Sequence, residues 1–257
     1  MEHLLRATAL AEARHFWFRG FRAFVTPLLR RAARERPPTA NARVLDCGCG
    51  TGANLELLNR FGRAYGFDLS PVGVQIGRQE GRRLLARASV SAIPFRDESF
   101  DIATSFDVLY ALDDRNERLA LAEMFRVLKP GGFAVINVAA MEILRGDHSV
   151  LGHEVRRYRR DELASHLQAA GFTIVRLTYT NFSLFVPIFL VRWLQRRRGL
   201  RAEGEADTDI SVPPEPLNAL LTAVLFAESL WIRQFDAPAG SSLLCLARKE
   251  KSGSRAA

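Results

Sequence analysis

Residues 44–55, VLDCGCGTGANL, set two cysteines among three glycines directly after a short apolar run. Two chemistries compete for this stretch. One is a Cys-x-Cys metal or redox pair; the other is a backbone bend in which cysteine is a small filler. Structural zinc sites use wider cysteine spacing and a second pair of Cys or His ligands. The remaining cysteine lies far off at 245, and no histidine falls near 47–49. A reactive thiol would need a neighbouring base or cation, which the local sequence lacks. No metal is expected.

The glycines carry the better reading. Gly48 permits a tight strand-to-helix turn, Gly50 lets the backbone approach a ligand, and Ala53 keeps the helix start close to the sheet. Together they fit G-x-G-x-x-G/A. Cys47 and Cys49 are then apolar spacers. Asp68 follows about twenty residues on, at the end of the next apolar run, where a carboxylate accepts ribose hydroxyls. NAD sites and S-adenosylmethionine (SAM) sites share that much. Asp46, directly ahead of the glycines, separates them: its charge suits the methionyl ammonium of SAM and would repel a pyrophosphate. The chain also has no Tyr followed four residues later by Lys, a pair found in one large class of dehydrogenases.

Outward from the bend, apolar runs alternate with amphipathic stretches. RVLDCG, RAYGFDLS, RASVSAI, FDIATSFDVLYAL, GGFAVINVAA, FTIVRLTYTN and SSLLCLARKE read as seven strands in order. Helical patterns occupy 53–60, 71–85, 115–128 and 161–170, with Pro71 at a helix start and Gly171 just past a helix end. The expected fold class is α/β, a doubly wound, seven-stranded, mostly parallel sheet covered on both faces. Two stretches break the rhythm. Residues 14–34, RHFWFRGFRAFVTPLLRRAAR, predict an aromatic and basic helix pair. Residues 181–239 predict a helical insertion holding FSLFVPIFLVRWLQRRRGLR and LNALLTAVLFAESLWIRQF. The expected organisation is therefore a helical cap over 1–38, a nucleotide-binding core over 39–180, the insertion over 181–239, and the last strand with a disordered tail over 240–257.

Composition sets outer bounds. The 257 residues are 48% hydrophobic and 25% charged, typical of a packed globular chain. Three cysteines give no disulfide framework. Glu2, Arg6 and Glu12 interrupt the place where the apolar core of a signal peptide would sit, so a cytoplasmic location is expected. The net charge of +8, mostly from arginine, suits phosphorylated or acidic partners.

Four stretches in register carry a resemblance to a known family: VLDCGCGTG, YGFDLS, SAIPFRDESFDIATSFDVLYAL and LAEMFRVLKPGGFAVI. Over roughly residues 42–138 the chain resembles the class I SAM-dependent methyltransferases, in particular their type 11 group. The resemblance implies a Rossmann-like methyltransferase fold, SAM as cofactor, and methyl transfer by in-line displacement. It implies that Asp46, Gly48 and Gly50 hold the methionyl end, with Cys47 in the same cofactor-binding stretch, that Asp68 binds the ribose, and that Leu69 packs on adenine. Phe106, at the fourth strand's end, belongs to the same cofactor-binding set. Members commonly carry Asp where this chain has Ser89. Here Ser89 and the Val90 backbone are expected to take over the adenine contact.

The acceptor side is read from GDHSVLGHEVRRY, which follows the fifth strand at the sheet edge where α/β sites are built. His148 and His153 are the base candidates, and Arg156, Arg157 and Tyr158 are candidates to meet an acidic or hydroxylated acceptor. The competing reading makes His153, Arg156 and Arg157 a solvated helix start with Glu154 and Asp161. Trp17 and Phe16 are expected to close over the sulfonium, or else simply to pack their helix on the sheet. The uncharged runs 182–191 and 217–227 fall short of the ~20 residues that span a bilayer. With Arg192, Arg196, Arg197, Arg198 and Arg201 beside them, they suit an acceptor lid, the inner face of a membrane, or a homodimer contact. The expected acceptor is a small molecule or a lipid-linked one. An RNA acceptor, supported only by charge, and a non-catalytic SAM-binding scaffold are the alternatives.

Overall fold

The computed structural model describes residues 11–146, 149, 153–198 and 212–251. Helix α1 (Phe16–Glu35) leads into β1 (Arg43–Cys47), α2 (Leu55–Leu58), β2 (Arg63–Asp68), α3 (Pro71–Gln79) and β3 (Leu85–Arg87). Then come β4 (Phe100–Phe106), α4 (Asp114–Val127), β5 (Leu128–Ala139), α5 (Arg160–Ala169) and β6 (Thr173–Thr180). Helices α6 (Phe185–Arg198) and α7 (Glu215–Trp231) precede β7 (Ser242–Arg248). Among the described residues the sheet is seven-stranded, in the order β3-β2-β1-β4-β5-β7-β6. The strands from β3 to β5 are parallel, while β7 lies antiparallel between β5 and β6. The sheet matches the expected architecture.

The local chemistry explains the boundaries. Ser70 caps α3 through the Gly73 N–H with Pro71 in the first turn, and Asp113 caps α4 through the Asn116 N–H. β4 and β7 are buried almost end to end, as strands covered on both faces must be. One apolar core joins α4 and α5 to the sheet around Phe100, Met124 and Leu167. The other joins α1 and α7 to the opposite face around Phe24, Leu29 and Leu225.

Three expectations need correction. The N-terminal pair is one helix, continuous through Pro27. Proline inside a helix costs about 3 kcal/mol. The buried stripe of Phe24, Val25, Leu28, Leu29 and Ala32 outweighs it at roughly 1.5–3 kcal/mol per large side chain. The third strand is Leu85–Arg87, not 87–93: Ser91 N–H donates to Ser89 Oγ and Ala92 N–H to the Ser89 carbonyl, bending the chain out of the sheet. Helix α3 stops at Gln79 rather than 85, because Gly81 takes a positive φ of 84° just beyond it.

Candidate active site

The order of strands reverses between β1 and β4, so the loops leaving those two strands diverge at the C-terminal edge of the sheet, where α/β folds place their ligand sites. Asp46 lies in register with Gly66 of β2 and Thr104 of β4, deep at that edge. Its Oδ1 accepts a hydrogen bond from Thr104 Oγ1 at 2.7 Å. Its Oδ2 is buried with no hydrogen-bond partner. Burial pushes the carboxyl up to about 7, the Thr104 bond opposes that rise, and Asp68 and Glu12 add to it through their charge.

The bend after β1 depends on glycine. Gly48 has φ +78° and Gly50 φ +56°, and a Cβ on Gly48 would stand 2.4 Å from Val108 Cγ2. Gly73 of α3 comes so near that a Cβ there would lie 2.8 Å from the Gly50 carbonyl oxygen. Asp68 organises the bend as well as bordering it. Its Oδ2 accepts from the Gly50 N–H and its Oδ1 from the Ser70 N–H, each at 2.8 Å. Both oxygens keep a further lone pair for a ligand hydroxyl. Leu69, next along, is 63% exposed, an apolar platform at the end of β2. Ser89 and the buried Val90 follow β3 onto the same edge, with the Ala88 N–H held by the Asp68 carbonyl.

Cys47 and Cys49 have thiols raised well above their ordinary range, chiefly by burial and then by Asp46. That is the opposite of what a nucleophilic or metal-binding thiol requires. Buried Cys47 belongs to the apolar core. Phe106, at the end of β4, packs its ring edge-on to Phe21 of α1 at 5.0 Å. Trp17 stands half-buried, edge-on to Phe16, with its backbone N–H donated to His15 Nδ1, which caps the helix. The N-terminal segment instead reaches the bend through Glu12, whose carboxylate accepts a hydrogen bond from Thr51 Oγ1 at 3.3 Å.

On the acceptor side the structure reassigns most candidates. His148 lies outside the described residues. His153 is exposed in a turn with φ +49°. Tyr158 must be corrected: it is fully buried, and its hydroxyl donates to Glu117 Oε1 at 2.8 Å, where His166 also binds. Burial and the Glu117 charge drive that phenol far above its usual range, so it is committed to the core. Arg156 is paired with Glu117 and Asp114, and Arg157 with buried Glu154 at 2.8 Å. Neither arginine is a solvated helix residue, since α5 begins only at Arg160. Their partners were legible only as nearby charges in the sequence.

Asp107, the first residue after β4, was overlooked. It holds φ +59°, a conformation uncommon for a side-chain-bearing residue. Its N–H donates to the Asn137 carbonyl, and its Oδ1 accepts from Asn137 Nδ2, both at 2.9 Å. Crowding by protein pushes its carboxyl up to about 7; the Asn137 amide opposes the rise, Glu154 adds to it, and Arg157 opposes it. Its side chain is nonetheless exposed to solvent, so that rise is the upper limit of what its surroundings impose. The sequence signal available was its place at the end of the strand beside the switch point.

Comparison with known proteins bears on what this edge holds. Residues 45–136 match the family described as "Methyltransferase domain". The chain is 30% identical over 220 residues to the O-methyltransferase cnsE of Penicillium expansum, covering 79% of this chain and 78% of that protein. It is 34% identical over 127 residues to the probable tRNA methyltransferase 9B of Homo sapiens, covering 49% of this chain and 27% of that one. A solved structure from Thermotoga maritima, a SAM-dependent methyltransferase described as a possible histamine N-methyltransferase, superposes with TM-score 0.56. At 17% identity over 97% of this chain and 100% of that one, it shares the fold. The archaeal, animal and plant relatives that match the core are much longer, the chain covering only 24% to 36% of their length.

Proposed function

Since the chain belongs to the class I SAM-dependent methyltransferases, we propose that it transfers a methyl group to a hydroxyl-bearing small molecule. The observation that carries this reading is the buried, unpartnered Asp46 Oδ2 beside the glycine bend, with Asp107 across the switch point. A cation is what such an oxygen lacks, and the methionyl end of SAM presents an ammonium. When bound, SAM supplies an electrophilic methyl group on a sulfonium. Asp46 and the N–H groups of the bend hold the amino-acid end, Asp68 takes the ribose hydroxyls, and Leu69, Ser89 and Val90 border the adenine. Alignment of an acceptor against a fixed donor supplies up to roughly 7–11 kcal/mol. Asp107 accepts the hydroxyl proton as the acceptor oxygen attacks, and Asn137 aims its carboxylate. This gives Asp107 the role that the sequence offered to His148 and His153.

The O-methyltransferase relative, similar over most of both chains, favours a small acceptor. The tRNA methyltransferase relative is similar over the core alone, and a nucleic-acid acceptor rests on the net charge of +8. Exposed Val186, Leu190 and Leu194 on α6, beside Arg197 and Arg198, favour a hydrophobic acceptor delivered at an anionic membrane surface. Among the described residues no helix is long and apolar enough to cross a membrane.

The test is labelled-methyl transfer from SAM into three pools: a metabolite extract, a lipid extract and bulk tRNA. Label in an alkali-stable ether of a small molecule or lipid is the expected result. Label found only in tRNA overturns the acceptor class.

A further inference from the structure

Glu12 is the acidic residue of the site that no sequence motif announces. It stands in the turn ahead of α1, with its carboxylate on Thr51 Oγ1, one residue beyond Gly50. Its backbone carbonyl accepts a hydrogen bond from Arg22 Nη2 at 2.9 Å, so the segment is pinned to α1 from within. Helix α1 is in turn fixed by α7. The Phe16 N–H donates to Asn218 Oδ1 at 2.8 Å, Asn218 Nδ2 donates to the Arg14 carbonyl, and Gly20 admits Leu225 at close range. The position of Glu12 over the bend is therefore built, not incidental.

Three carboxylates now surround one glycine bend: Asp46, Asp68 and Glu12. Asp68 is satisfied by two backbone N–H groups. Asp46 is not, for its Oδ2 is buried and unpartnered while its other oxygen takes the Thr104 hydroxyl. Glu12 is close enough to Asp46 for their charges to repel. Burial itself raises the Glu12 carboxyl, against the pull of Thr51, Arg82 and Arg22. Arg22 and Arg82 offset part of the charge at Glu12, while the orphaned Asp46 oxygen still lacks a cation, and a ligand that brings one there relieves the repulsion.

We propose that Glu12, delivered by the N-terminal segment, is a third carboxylate that acts with Asp46 to hold the ammonium of the methionyl end of SAM. The proposal rests on the SAM reading above and deepens it. The site is then completed by a segment outside the Rossmann-like core, and discrimination between cofactor and its breakdown products follows. S-adenosylhomocysteine carries the amino-acid end; 5′-methylthioadenosine has the same adenosine and a thioether without it.

Calorimetric titration of both ligands into the full chain separates the possibilities. For Glu12→Gln, affinity for S-adenosylhomocysteine should fall about tenfold or more, the loss of one charge-assisted hydrogen bond. Affinity for 5′-methylthioadenosine should stay within about twofold of wild type on the same scale. Thr51→Val, which removes the hydroxyl that orients Glu12, should show a smaller loss confined to the same ligand. Equal losses for both ligands would reduce Glu12 to a structural role. Unchanged or tighter S-adenosylhomocysteine binding in Glu12→Gln would overturn the proposal, the latter outcome marking Glu12 as a plug. A wild-type chain that binds 5′-methylthioadenosine as tightly as S-adenosylhomocysteine would also overturn it while sparing the adenosyl reading. A chain that takes up neither would sink both.

Discussion

Asp46 carries a stability cost that a bound cation would relieve. Its folded pKa of about 7 lies above the ordinary 3.8. Between those values the native state holds more protons than the unfolded chain, so stability falls as pH rises through the window and the penalty is complete above it. Asp46→Asn should raise the melting temperature of the ligand-free protein near about pH 8, by on the order of a few kcal/mol in stability, and leave it nearly unchanged near about pH 4. The same variant should bind S-adenosylhomocysteine more weakly, and scanning calorimetry with titration checks both. Asp107→Asn should behave differently. Affinity for S-adenosylhomocysteine stays, while methyl transfer falls by ~10²–10⁴, the usual worth of a positioned proton acceptor. A variant with full turnover would return the base to other residues.

Among the elements, Gly20 deserves its place at the crossing of α1 and α7, where a Cβ would stand 2.4 Å from Leu225 Cδ1. Gly20→Val should force the helices apart, lower stability by about 1–3 kcal/mol, and weaken cofactor binding by displacing Glu12. Urea unfolding and ligand titration read the two effects. Helix α6 is the element whose surroundings explain it least: no side chain on it is buried. Glu228 of α7 accepts from the Phe182 and Ser183 N–H groups and so fixes where the helix starts. Reversing Arg197 and Arg198 to Glu should abolish co-sedimentation with anionic vesicles and leave S-adenosylhomocysteine binding intact. Sedimentation unaffected by the reversal would remove the membrane reading. The glycine bend, the strands and the two strand-end carboxylates, Asp46 and Asp68, were legible because each rests on local pattern. Glu12 and Asp107 were not, because their meaning comes from tertiary neighbours, Thr51 and Asn137. Tyr158 misled for the same reason, since only its contact with Glu117 distinguishes a core phenol from a functional one. The third strand lies elsewhere than its pattern suggests because Ala88, Val90 and Ala92 alternate like a strand while the bonds of Ser91 and Ala92 to Ser89 bend the backbone.

At the level of the molecule, the cofactor edge draws on three parts: β1 and its bend, the exit of β4, and the N-terminal segment held by α7. A ligand bridging them should tie their unfolding together. At about a hundred times its dissociation constant, S-adenosylhomocysteine should add roughly 2.7 kcal/mol, a rise of about 5–10 °C in melting temperature for a chain of this size. A smaller gain in Glu12→Gln than in wild type would be seen in the same scan. The sheet itself has an order of assembly written into it. β7 completes hydrogen bonding for β5 and for β6 together, and neither of those strands touches the other without it. While residues 242–248 are still inside the ribosome, the nascent protein therefore carries two bare strand margins, a template for mispairing with its neighbours on the same message. Covering those margins until the last strand emerges should therefore raise the share of chains that reach the native state.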